Sequence, residues 1–96
     1  YRVVSLLGRG SFGIVVRAAV IDDSAAPNTE VAIKILRKGA SFLAQGKREW
    51  QVLQYIRKHQ SPTDESQNFV VNALDCFFQN DHFCIVFELL SDTLYE

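Results

Sequence analysis

Apolar residues recur along this chain with a period of two, then near 3.6, then two again. Residues 1–7, YRVVSLL, are β-branched and aromatic enough to predict a strand. A glycine-rich turn follows at 8–13, and Ile14 to Ile21, IVVRAAVI, predicts a second strand. Turn formers dominate DDSAAPNTE at 22–30, which predicts an exposed loop. VAIKILR at 31–37 predicts a third strand. Its alternation sets Ala32, Lys34 and Leu36 on one face, and Val31, Ile33 and Ile35 on the other.

From about Ser41 to His59 the helical period takes over. At ~100° per residue, Phe42, Gln45, Glu49, Val52, Leu53 and Ile56 form one stripe, with Trp50 at its edge. Lys47, Arg57 and Lys58 lie on the other side. Gly46 interrupts the first turns at a cost of ~1 kcal/mol relative to Ala. QSPTDESQN at 60–68 predicts a polar loop broken by Pro62. FVVNALDCFF at 69–78 and FCIVFELL at 83–90 predict two strands joined by the turn QNDH. The order strand–strand–strand–helix–strand–strand predicts an α+β fold, an antiparallel sheet of five strands with one packed helix. No repeat, low-complexity tract or linker divides residues 1–96.

Composition narrows the function classes. With 96 residues, 48% of them hydrophobic, the chain suits one small domain with a modest core. A formal net charge of −1 provides no field to attract nucleic acid or a membrane surface. No apolar run approaches the ~20 residues of a membrane span, and no signal-peptide pattern opens the chain. The chain lacks Met and opens at Tyr1 already in strand-like sequence, so we expect a segment of a longer protein. Cys76 and Cys84 flank the last turn, where a cross-strand pair is conceivable; the simpler reading is two buried free thiols in a reducing compartment. That reading implies an intracellular protein, cytoplasmic or nuclear. His59 and His82 fall at a helix end and a turn, where structural or solvent-facing roles are expected. No thiol–imidazole cluster suggests a zinc site.

Three features carry chemistry. Leu7-Gly8-Arg9-Gly10-Ser11-Phe12-Gly13-Ile14-Val15 contains G-x-G-x-x-G-x-V, a spacing that lets backbone N–H groups approach phosphate oxygens. Alone, it also fits a hairpin turn that binds nothing. A dinucleotide site would continue into a helix and place an acid ~20 residues on, where Ile33 stands instead. A P-loop would end in Gly-Lys-Ser/Thr, and this loop does not. A glycine loop between two strands is the protein-kinase arrangement.

Val31-Ala32-Ile33-Lys34 matches the V-A-I-K strand. Lys34 shares a face with Ala32 and Leu36, where an ammonium needs an anion; alone, it also fits an edge-strand charge that discourages aggregation. Glu49 falls near the centre of the helical stripe, or at the margin of a solvated face if the helix phase shifts by one residue. The two charges resolve each other as an ion pair, which in kinases holds the lysine against the α- and β-phosphates. In a kinase, the strand Phe83-Cys84-Ile85-Val86-Phe87-Glu88-Leu89-Leu90 would run into a hinge that holds adenine by backbone groups, with Leu7, Val15 and Ala32 suited to the positions above and below the ring. A plain core strand would use the same residues.

SLLGRGSFGIVVRA, VAIKILRKGASFLAQGKREWQVL and HFCIVFELLSDTLYE together resemble the dual-specificity tyrosine-regulated kinase group within the CMGC class of protein kinases. The chain departs from that group at Trp50, Asp92 and Thr93. The resemblance spans essentially the whole chain and implies the N-terminal lobe of a kinase domain through the hinge, without the second lobe. It implies ATP as ligand, with Mg²⁺ held by residues beyond Glu96, and protein substrates as partners. By matching position, Gly8, Gly10 and Gly13, with Arg9, Ser11, Phe12 and Ile14 between and after them, cover the phosphates. Lys34 binds them and Glu49 is its helix partner. Phe87 is the gatekeeper, Glu88 and Leu90 supply hinge backbone contacts, and Ser91 or Thr93 lies near the ribose. Substrates of the family are protein Ser/Thr, with tyrosine autophosphorylation. A pseudokinase scaffold is the alternative function, against which intact Gly8, Gly10, Gly13, Lys34 and Glu49 argue. A complete small nucleotide-binding protein is disfavoured, because Leu94-Tyr95-Glu96 reads as the opening of another helix.

Overall fold

The alternating runs pair into one sheet, and the helical run packs on one of its faces. A computed structural model describes residues 1–21, 29–58 and 72–89. The elements are β1 (Arg2–Gly10), β2 (Gly13–Ala19), β3 (Glu30–Leu36), α1 (Ala40–Lys58), β4 (Ala73–Gln79) and β5 (His82–Glu88). The five strands lie in the order β1-β2-β3-β5-β4, every neighbouring pair antiparallel. This is the predicted α+β arrangement, consistent with a kinase N-lobe. Of the loop expected at 22–30, residues 22–28 lie outside the described residues and Glu30 already opens β3. The loop at 60–68, the strand start at 69–71, His59, Leu90 and the hinge continuation through Glu96 lie outside them too.

Boundaries differ from expectation where pairing decides them. The glycine segment was expected as a turn over 8–13, yet β1 runs on to Gly10, which pairs with Gly13. Only Ser11 and Phe12 remain as the turn, because ladder hydrogen bonds continue through residues whose own strand propensity is low. The predicted QNDH turn also tightens to two residues. Asn80 and Asp81 take φ of 51° and 67°, the left-handed pair that a tight hairpin demands and that Asn and Asp tolerate.

Each face of the sheet has its own apolar cluster, as the alternation in β3 requires. Val31 and Ile33 join Val16, Ala18, Cys84 and Val86 on the face away from the helix, with Ile35 and Phe77 against them. Leu36 joins Ala73, Phe83 and Ile85 on the helix face, beneath Phe42, Leu43, Trp50 and Leu53. Leu36, Ile85 and Val86 are fully buried, each worth roughly 1.5–3 kcal/mol of transfer free energy. The Tyr1 and Phe77 rings stack at 6.0 Å between centroids, bringing the residue before β1 against the far edge strand β4.

The helix phase corrects the predicted stripe. Gln45, Val52 and Ile56 are exposed, while Phe42, Leu43, Gly46, Trp50 and Leu53 face the sheet. Gly46, expected only to weaken the helix, is its buried point of closest approach. Centring the contact line on Gly46 rotates Trp50 inward and carries Val52 and Ile56 off the sheet. The far end of α1 is tied to β4, where Gln54 Nε2 and Arg57 Nη1 each reach the Ala73 carbonyl at 3.5 Å.

The cysteines are free. Cys76 sits with the helix-side cluster and Cys84 with the opposite one, so a bridge would have to pass through the sheet. Burial pushes both thiols up, and the Asp75 carboxylate adds to the effect at Cys76.

Candidate functional site

The centre of the site is a row across three strands. Val15 on β2 pairs with Lys34 on β3, which pairs with Ile85 on β5. The next row is Arg17, Ala32 and Phe87. Period-two geometry puts these side chains on the helix face, so Lys34 projects toward α1. Its Nζ donates to Glu49 at 2.8 Å to Oε1 and 3.0 Å to Oε2. The two side chains keep 20% and 28% of their surface exposed, so the pair lies partly buried rather than on open surface. Their mutual attraction offsets part of the cost of taking each charge out of water. Residues 15 apart in sequence are brought together only because the helix returns across the sheet.

The glycine loop closes over this pair. Phe12 folds back beneath its own loop, and Lys34 Nζ lies 4.7 Å from the ring centroid. A cation at that range is attracted to the aromatic face. Gly10 makes room for it, since a Cβ there would stand 2.8 Å from Cε1 of the ring. Gly13 is demanded by the backbone: its φ is 145°, and any Cβ would collide with the Ile35 carbonyl. A Cβ on Gly8, by contrast, would meet nothing within 4 Å.

The expected adenine-side residues fall into place unevenly. Val15 and Ala32 share the Lys34 face. Leu7 is the residue without a partner at a bulge between Leu6 and Gly8, and it is half exposed. Ile14 pairs with Arg9, and both are exposed. Phe87 stands directly across from Ala32 and packs against the helix-side core. Glu88 N–H donates to the Asn72 carbonyl at 2.8 Å, and Asn72 Nδ2 donates to Glu88 Oε2 at 2.9 Å. The Glu88 N–H is therefore already engaged.

Two grooves, of 570 and 530 Å³, lie elsewhere. One is on the face away from the helix, between Tyr1, Val16, Ile33 and Phe77; the other runs beside the glycine loop past Arg37 and His82. Neither is lined by Lys34 or Glu49. Sequence reasoning missed Arg37, while His82 takes the structural role expected of it. His82 Nδ1 lies 2.6 Å from the Leu36 carbonyl, so that nitrogen carries the proton and donates. Arg37 donates to the loop itself, from its backbone N to Phe12 O at 2.8 Å and from Nε to Ser11 O at 2.9 Å. No motif marks either residue.

A glycine loop between two strands and a strand lysine bonded to a helix glutamate form the protein-kinase arrangement, and comparison with known families agrees. The model of protein tyrosine and serine/threonine kinases matches residues 1–94. The chain belongs to the protein kinase family. A dual specificity tyrosine-phosphorylation-regulated kinase 2 of Drosophila melanogaster is 42% identical over all 96 residues. A probable serine/threonine-protein kinase, yakA, of Dictyostelium discoideum is 40% identical over the same span. A homeodomain-interacting protein kinase 1 of Caenorhabditis elegans is 41% identical. The chain covers 12%, 6% and 10% of those proteins respectively. It corresponds to the N-terminal region of a protein kinase domain, with the resemblance to dual-specificity tyrosine-regulated kinases in place. Among the described residues, no helix is long and apolar enough to cross a membrane.

Proposed function

We propose that this segment holds ATP for a protein kinase that transfers the γ-phosphate to protein Ser or Thr and modifies its own tyrosine. The observation that carries the reading is the Lys34–Glu49 pair beneath the glycine loop. An ammonium has three donors. Glu49 takes at most two of them, which leaves at least one N–H on Lys34 for the α- and β-phosphates. The carboxylate fixes where that donor points before ligand arrives, so little ordering remains to be done on binding. Phe12 must swing off Lys34 for a phosphate to approach. Gly8 supports the reading, because nothing among the described residues requires a glycine there; an approaching ligand would.

In this reading Gly8, Arg9, Gly10, Ser11, Phe12, Gly13 and Ile14 cover the phosphates, while Leu7, Val15 and Ala32 flank the adenine. Phe87 closes the back of the pocket. With the Glu88 N–H bonded to Asn72, its carbonyl is the group left to accept from the adenine amino group, and Leu90 supplies the hinge donor. Among the described residues no group of three or more His, Cys, Asp or Glu is placed to hold a metal. When bound, Mg²⁺ would accompany ATP, held by carboxylates outside residues 1–96.

The test is phosphate transfer by the full-length protein to a generic protein substrate with Mg-ATP. Transfer is expected to vanish in Lys34→Ala, and residues 1–96 alone are expected to transfer none. ATP binding without any transfer by the unaltered protein would turn the reading into that of a pseudokinase.

A further inference from the structure

The tip of the glycine loop is held from outside by one residue. Arg37, immediately after β3, bonds two successive carbonyls: Phe12 O through its backbone N–H at 2.8 Å, and Ser11 O through Nε at 2.9 Å. The tip has little rigidity of its own, being two residues between glycines. Its support does have rigidity. Leu36, next to Arg37, is fully buried, and the His82 ring donates to its carbonyl at 2.6 Å. Because a trans peptide is planar, fixing the Ser11 carbonyl also fixes the Phe12 N–H on the opposite side of the same plane. It fixes as well the Cα from which the Phe12 ring reaches Lys34.

We propose that Arg37 is a positioning residue for the phosphates of ATP, acting through the Ser11 and Phe12 carbonyls rather than by touching the nucleotide. The clasp grips backbone only, so the Phe12 ring stays free to rotate about its side-chain bonds and clear Lys34. This inference rests on the ATP-binding reading above. It predicts an effect confined to the phosphate part of the ligand. A merely structural arginine on an exposed hairpin would lower stability without distinguishing one ligand from another. A charge acting on the phosphates at a distance would be replaced fully by lysine.

The experiment measures affinity of the full-length protein for ATP and for adenosine in parallel, with melting temperature as a folding control. Arg37→Ala keeps the backbone bond and loses the side-chain bond. It is expected to weaken ATP about 3- to 10-fold, the effect of one hydrogen bond, and to leave adenosine unchanged. Arg37→Lys keeps the charge without the planar fixed donor, and is expected to recover only part of the loss. Equal weakening of both ligands, no weakening of ATP, or full recovery by lysine would each overturn the proposal. An unaltered protein that binds adenosine and ATP at neither strength would overturn the ATP-binding reading and this one with it.

Discussion

Gly46 lies so close to Phe83 that a Cβ built on it would stand 2.5 Å from Cδ2 of the ring. Phe83 is 6% exposed and packed in the helix-side cluster, so its ring has little room to give. Two effects oppose each other at this position. Alanine would gain ~1 kcal/mol in helix propensity, while overpacking a core contact costs roughly 1–3 kcal/mol. We expect Gly46→Ala to lower stability by up to about 2 kcal/mol, the overpacking cost less the propensity gain, despite being the better helix former. Combining it with Phe83→Leu should cost less than the two single losses added. Denaturant unfolding of the four proteins in the cycle checks this; a more stable Gly46→Ala protein would show that the helix shifts to accommodate the methyl.

The Lys34–Glu49 pair should couple energetically. Removing one partner leaves the other in partly apolar surroundings, whereas removing both does not. A double-mutant cycle of Lys34→Ala and Glu49→Gln should give a coupling of about 1–2 kcal/mol, discounted from buried-pair values because both side chains retain solvent contact. In phosphate transfer by the full-length protein, Glu49→Gln should lower kcat/KM by at least about tenfold, ~1.4 kcal/mol. A change below twofold would mean that Glu49 does not position Lys34.

In the ATP-binding reading, Phe12 stands where a phosphate would approach Lys34. A cation–aromatic contact at a partly exposed site is worth roughly 0.5–1 kcal/mol, and it is given up when the ring swings away. Phe12→Ala should therefore raise ATP affinity by about 2- to 5-fold. Isothermal calorimetry on the full-length protein reads it directly, and a weaker affinity would assign the ring a holding role instead.

Phe87 sits across the ladder from Ala32 at the back of the expected adenine site. Phe87→Gly should open room behind the adenine for ATP analogues enlarged at N6. The measurement is competition of such an analogue with ATP in the full-length protein. A folded variant with no gain for the enlarged analogue would remove Phe87 from the gatekeeper role. Some loss of stability is expected alongside, since Phe87 packs against the helix-side core.

The sequence by itself determined the order of elements, the faces of β3 and the pairing of Lys34 with Glu49. These depend on period, on turn chemistry and on charges set in apolar runs, all of which are local. Lys34 and Glu49 match each other in the sequence alone because each is costly without an opposite charge nearby. The tertiary structure alone decided the helix phase, because that depends on which residue approaches the sheet most closely. Gly46 reads locally as a weakness, and only the ring of Phe83 makes it a necessity. The same holds at the glycine loop. Its spacing is legible, but the inward Phe12 ring and the Arg37 bonds arise from the end of β3 meeting the tip of a hairpin some 25 residues earlier in the chain, a separation over which local periodicity carries no information.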